Sequence, residues 1–404
     1  MAGRGRARGP GVLGRCPLLV ALVFALLGCL VGCGGRAAAG DATADVQRVL
    51  DGRAAAVLGH DPDAYAATGA ATGYAAVRAV PLAAWSYRVT ALHRSGDTAT
   101  ADAELSYRVD GYDKAPVTTD RVLRLTRDGA GRWSVISDKP ATKAGEQLWD
   151  QGTVSVVRGG HSLVLGVGQS DARLRSFAEL ADDAVPEVSA AWGTDWAGRL
   201  VVLVPKSLEG MAGLLGSPAS SYRGIAAVTT GETGGGARTP ADRIIVNPDS
   251  YGMLGGIGRQ VVLTHEATHV ATRAHTNAAT PLWLSEGYAD WVGYRGTGRT
   301  PAEVAPELQQ SVRDGAVPAA LPADADFGFS GDADRLAQAY EGGWLACRMI
   351  AEQWDEVKLD AFYRAVGEHG KRPGAVEGAL KSVLGVSLAE FTADWQGYLK
   401  AQLA

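Results

Sequence analysis

Cysteine is nearly missing from most of this chain. Of four in 404 residues, Cys16, Cys29 and Cys33 fall within the first 33, and Cys347 alone lies in the body. That excludes an internal disulfide framework. Cys347 sits in an apolar helical pattern and reads as a core residue. An excess of base is also lacking. The 39 Lys and Arg stand against 44 Asp and Glu, a net charge of −5, so nothing electrostatic points to nucleic acid. No internal repeat is present. The one long apolar run is residues 17–32, a little short for a comfortable membrane span. What remains is the composition of a globular protein, 46% hydrophobic and 21% charged, long enough for two domains with a core each.

Residues 1–33 read as a targeting segment. Arg4, Arg6, Arg8 and Arg15 precede the apolar run, which ends in Leu30-Val31-Gly32-Cys33. This resembles a bacterial lipobox, in which Cys33 is lipidated and becomes the mature N-terminus; Leu26-Leu27-Gly28-Cys29 is a poorer match. A secretory signal cut near Ala37-Ala38-Ala39 and an uncleaved anchor are the alternatives. All three place the body outside the cytoplasm, and the first ties it to the cell membrane surface without spanning it.

The patterning predicts an α+β protein with domains at 34–145 and 146–404. Val46, Val49, Leu50, Ala54 and Val57 give a helix over 41–65. Alternating, β-branched and aromatic strands follow at 85–94, 98–110, 120–128 and 131–138, with turns at Ser95-Gly96-Asp97 and Asp128 to Gly131. A helix followed by an antiparallel sheet resembles an NTF2-like or cystatin-like domain. In the second part a hairpin is expected around Gly159-Gly160, a helix over 171–192, a buried strand at Leu200–Val204 and a short strand over 242–250. From Gly258 the pattern is helical almost to the end.

The chemistry is concentrated in "VVLTHEATHVATRAH", residues 261–275. His265 and His269 are four apart, so on a helix they share a face and reach one metal ion. Glu266 is turned about 100° from His265, where it can act as a base beside the metal. Chance yields roughly 0.01 matches to this motif in such a chain. Zinc needs a third protein ligand. "TPLWLSEGYADW", residues 280–291, offers Glu286, with Asp290 one turn on; Thr280 reads as N-cap and Pro281 as the first helical residue.

Together these residues resemble the gluzincin metallopeptidases of the peptidase MA-like type, a resemblance spanning roughly 150–404 and specific over 265–290. It implies a zincin-like fold and a Zn²⁺ ion held by His265, His269 and Glu286. It also implies Glu266 as general base and Asp290 as the acceptor that orients His265. Tyr340 matches by position the tyrosine some of these enzymes use as an oxyanion donor. The strand at 242–250 would be an edge along which a peptide pairs. No Gly-x-Met-Glu-Asn loop of the aminopeptidase kind is present, which favours an endopeptidase.

The remaining residues read more plainly. His275 is expected to be a charge favourable to a helix C-terminus, and His60, His93, His161 and His369 to be ordinary histidines. Trp283, Trp291, Trp344, Trp354 and Trp395 read as core. Ser387 and Glu390 form a capping box for a last helix buried through Leu388, Phe391, Trp395 and Leu399. The expectation is a monomeric zinc peptidase acting on peptide or protein substrates. The rival is a non-catalytic envelope-binding lipoprotein on an inactive zincin fold. In a third reading the N-terminal domain covers the cleft like a propeptide.

Overall fold

In the computed structural model, residues 35–231, 239–328 and 332–404 are described, with side chains from residue 42 onward. Cys33 and the lipobox, and most of the glycine-rich loop after residue 231, lie outside them. The first layer starts with α1 (Gly35–Leu58), α2 (Pro62–Ala67) and α3 (Thr72–Val77). A meander follows: β1 (Leu82–Ser95), β2 (Thr98–Val109), β3 (Val117–Arg127) and β4 (Trp133–Pro140), each antiparallel to the next. The single helix expected over 41–65 is broken. Asp61 accepts the N–H groups of Asp63 and Ala64, and Pro62 opens a second helix there. On β2 every second residue from Ala99 to Val109 is buried, and these side chains meet Val46, Leu50, Ala54 and Val57 of α1.

The second layer is a mixed sheet of β5 (Val154–Arg158), β6 (Ser162–Val167), β7 (Leu200–Val204), β8 (Ala227–Thr230) and β9 (Arg243–Val246). Its order is β5-β6-β7-β9-β8. β6, β7 and β9 are parallel; β5 and β8 run against their neighbours. β6 is buried along its whole length because both its faces are covered. Leu163, Leu165 and Val167 join the core of the first layer, while Val164 joins the helical core on the other face. One ion pair stitches the layers at the far edge. The buried Asp113 carboxylate accepts Arg243 Nη2 at 2.8 Å and the N–H of Ala241.

α4 (Asp171–Trp192) crosses from β6 to β7. Ser170 caps it, and Leu174, Phe177, Ala181, Val185 and Val188 form its buried stripe. α5 (Leu208–Leu215) and α6 (Pro248–Met253) are short. The strand expected over 242–250 therefore stops at Val246, where Asn247 caps α6.

The rest is helical: α7 (Gly256–Thr272), α8 (Leu282–Tyr294), α9 (Pro301–Val304), α10 (Pro306–Arg313), α11 (Ala333–Gln353), α12 (Glu356–Glu368), α13 (Ala375–Ala379) and α14 (Leu388–Leu403). The capping box of Ser387 and Glu390 is present, and Phe391, Trp395 and Leu399 are fully buried. Cys347 is buried, as are Trp283, Trp291, Trp344 and Trp395. The chain divides into two compact units, Met1–Ala42 and Thr43–Ala404, and every element of the site belongs to the second. Among the described residues no helix is long and apolar enough to cross a membrane.

Candidate metal centre

α7 is seated by Leu263, Ala267 and Ala271, all buried in the helical core. That fixes which way the polar positions face. His265 and His269 lie one turn apart on the side toward α8, with their Nε2 atoms 3.0 Å from each other. Glu286 Oε2, from α8, stands 3.2 Å from His265 Nε2 and 3.4 Å from His269 Nε2. Three ligand-type atoms thus converge on one point, and among the described residues they form the one such cluster. A tetrahedral zinc ion with bonds of about 2.0–2.2 Å sets its donors about 3.3–3.6 Å apart. Of the observed sides, 3.4 Å lies inside that range and 3.2 and 3.0 Å fall short of it, by about 0.3 Å at most, and the donor set of two imidazoles and one carboxylate suits zinc.

Asp290 holds the first histidine. His265 Nδ1–H donates to Asp290 Oδ1 at 2.8 Å, which leaves the Nε2 lone pair for the centre. Burial by itself disfavours the charged form of His265, but Asp290 and Glu286 outweigh it and raise the imidazole's pKa well above its ordinary value. Burial likewise opposes ionisation of Glu286. The two histidines, His269 foremost, overcome it and keep the carboxyl well below the usual range. The three groups stabilise one another's charge, and a dication would do the same for the carboxylate.

Two glycines let α8 come close enough to supply Glu286 and Asp290. A Cβ on Gly287 would collide with the backbone of Gly343 in α11, and one on Gly343 would lie 2.6 Å from the carbonyl oxygen of Trp283. The helices touch backbone to backbone, and only glycine permits that approach. Thr280 is not the cap of α8. Its hydroxyl accepts the N–H of Asn277, Pro281 takes the N-cap position, and the first free N–H, that of Leu282, is met by Asp324.

Glu266 is 7% exposed. Its Oε2 accepts the Thr229 hydroxyl at 2.6 Å. Thr229 belongs to β8, which the sequence reading missed; only the short β-branched run before the glycine-rich loop marks it. β8 also corrects the expected edge. β9 is flanked by β7 and β8, so β8 ends the sheet beside Glu266. Tyr340, on α11, is half-buried with its ring 5.1 Å from that of Phe327. Burial, then the charges of Glu286, Asp290 and Glu266, push its phenol up, so the ring lies within the field of the site's carboxylates. His265, Glu266, Asp290 and Tyr340 line one cavity of about 560 Å³.

His275 is not a helix-terminal cation. Its Nε2 accepts Arg364 Nη1 at 2.7 Å, and its ring meets Trp192 edge-on. Partial burial and that guanidinium lower its pKa, so it is neutral at pH 7. His60, His93, His161 and His369 are all exposed and away from the centre.

No protein-family model matches this chain, and no curated protein matches it. Among solved structures it is similar to an M1 zinc metallopeptidase variant from Deinococcus radiodurans bound to a Tyr-Ser-Ala substrate. The identity is 13% and the TM-score 0.33, over 80% of this chain and 62% of that one. A two-domain M1 zinc metallopeptidase variant bound to L-arginine gives 14% identity and a TM-score of 0.36, over 79% of this chain and 64% of that one. Native yeast LTA4 hydrolase gives 12% identity and a TM-score of 0.35, over 68% of this chain and 43% of that one. The chain thus spans less than two thirds of the length of each. At these values the case for the site rests on the side-chain geometry, a histidine–histidine–glutamate centre with a second glutamate held beside it.

Proposed function

We propose that this protein is a zinc-dependent endopeptidase, lipid-anchored through Cys33 and working as a monomer at the outer face of the bacterial cytoplasmic membrane. The observation that carries the enzymatic part is the triangle of His265 Nε2, His269 Nε2 and Glu286 Oε2, with sides of 3.0, 3.2 and 3.4 Å. An ion bound there supplies Lewis acidity, polarising a substrate carbonyl and making water a stronger acid. In this reading Glu266 takes the proton from the attacking water and passes it to the leaving amine. Thr229 fixes one carboxylate oxygen and leaves the other for that work. Asp290 holds the His265 tautomer. Tyr340 is the donor available to the developing oxyanion. Among the described residues no strand pairs with the outer edge of β8, and in this reading an extended peptide pairs there.

The internal mode of cleavage rests on which carboxylates are left over for a peptide's terminal ammonium. Among the described residues of the cavity, Asp290 is engaged by His265 and Glu341 by the N–H groups of Glu307 and Leu308, and in this reading the free oxygen of Glu266 serves the water. The test is metal analysis together with digestion of a mixed library of N-acetylated peptides. One zinc per chain with cleavage of blocked peptides is the expected result.

A second reading, a binding lipoprotein without turnover, is favoured by a different feature. The first layer encloses a cavity of about 530 Å³ lined by Arg53, Tyr65, Trp85, Tyr87 and Trp149. Among the described residues, Arg53 Nε and Trp85 Nε1 are buried with no hydrogen-bond partner. Zinc binding without cleavage of any peptide would support that reading over the first.

A further inference from the structure

The cavity beside Glu266 bears on which peptides are cut. Its wall is aliphatic and aromatic, formed by Ile225, Val261, Val262, Leu336 and Trp344. Ile225, Val262 and Leu336 remain partly exposed there. Apolar surface left open in a concave site next to reactive groups is a recognition feature. The charges around it are already committed. Glu341 caps the start of α10, Asp290 holds His265, and Glu266 holds Thr229. Arg223, exposed on the rim, has no acidic partner among the described residues and repels cations. Among the described residues, no carboxylate in this wall is left over to receive a lysine or arginine side chain. At about 560 Å³ the space admits the bulkiest side chains.

We infer that the substrate residue adjoining the scissile bond carries a large apolar side chain, aromatic or long aliphatic, which this cavity receives. The inference rests on the zinc-peptidase reading for its role in cleavage, while the cavity's preference is measurable without catalysis.

The zinc-loaded full chain would be given a complex peptide mixture and its cut sites read by mass spectrometry. Phe, Tyr, Trp, Leu or Met should be enriched at one fixed position beside the cut, by at least about ten-fold over Gly, Asp and Lys. A flat profile, or enrichment of charged residues, overturns the inference. Ala337 lies on the α11 wall of the same cavity and is half-buried. Ala337→Trp should lower the ratio of cleavage beside Phe to cleavage beside Ala by about ten-fold or more, with zinc content and far-UV circular dichroism reporting that the variant is folded and loaded. Equal loss for both overturns it. Binding to the metal-free protein provides the separate arm, with acetyl-Ala-Phe-Ala-amide compared with acetyl-Ala-Asp-Ala-amide by peptide-observed NMR. The Phe peptide should bind at least about ten-fold tighter, and Ala337→Trp should abolish the difference. Equal affinities sink the cavity assignment even if zinc hydrolysis is real. A preserved difference with no hydrolysis of any peptide sinks the enzyme reading instead.

Discussion

The hydroxyl of Thr229, on the last strand of the mixed sheet, donates to Glu266 Oε2 at 2.6 Å across 37 positions of sequence. A short hydrogen bond to a carboxylate that is 7% exposed fixes its rotamer. Hydrogen bonds to charged groups contribute about 1.5–3 kcal/mol. Thr229→Val should therefore lower kcat by roughly ten-fold or more, with KM and zinc content little changed. Thr229→Ser should restore most of the rate. Steady-state kinetics on the three proteins, with metal analysis, reads this directly, and an unchanged kcat in the valine variant would show that Glu266 does not depend on the bond.

Removing the base itself should be more severe. Glu266→Gln keeps the shape and leaves His265, His269 and Glu286 untouched. Zinc should remain at one per chain while hydrolysis falls by about 10²–10⁴-fold, the usual worth of a positioned general base. Full activity in that variant would refute the mechanism.

The ligands and their support should separate by degree. Glu286→Gln and His269→Ala each remove one of three protein donors and should abolish stoichiometric zinc. Asp290→Asn removes only the group behind His265 and should weaken zinc by about 10–100-fold. A chelator should lower the melting temperature of the wild type and not of Glu286→Gln. Calorimetric melting with and without zinc would distinguish these cases.

Glu341 makes stability depend on pH. Burial, then the neighbouring Glu307, raise its pKa despite the two backbone N–H groups it accepts. A carboxyl with a raised folded pKa binds its proton more tightly when native. Its contribution is complete below the unfolded value of about 4.5 and is lost as pH rises through the higher folded value. Glu341→Gln stays neutral throughout. Its melting temperature relative to wild type should therefore rise between pH 5 and pH 8, and a constant difference would contradict the assignment.

Gly287→Ala tests the contact between α8 and α11. Its new methyl has no room against Gly343, and forcing the helices apart should cost about 2–3 kcal/mol. Glu286 is the next residue, so zinc affinity should fall with stability. Gly397, an exposed glycine of α14 with no atom within 4 Å of its would-be Cβ, is the control. Gly397→Ala should stabilise the protein by about 0.5–1 kcal/mol.

The legible parts of this structure are those whose cause is local. α4 matches its expected span because its cap, its apolar stripe and its terminating glycine lie within 24 residues of one another. The ligand pair in α7 follows from helical spacing, and the capping box of α14 from four adjacent positions. What could not be read comes from partners distant in sequence. Asp324 caps α8, Arg364 neutralises the role expected of His275, and β8 takes the sheet edge expected of residues 242–250. Strands of four residues such as β8 carry too little pattern to register, and here one of them touches Glu266.

The pairing of Asp113 with Arg243 has a consequence for how this molecule could be divided. Arg243 faces Thr230 across the β8–β9 ladder, and Thr229 is the next residue along. A cut after residue 145 would strip Arg243 of its counter-charge at the root of the strand that steadies Glu266. It would also leave Leu163, Leu165 and Val167 facing water. A detachable cover would come away from a finished surface, and no such surface lies beneath this layer. Residues 146–404 are therefore not expected to be a portable cassette: the strand that steadies Glu266 stands on a foundation laid by residues that precede it in the chain.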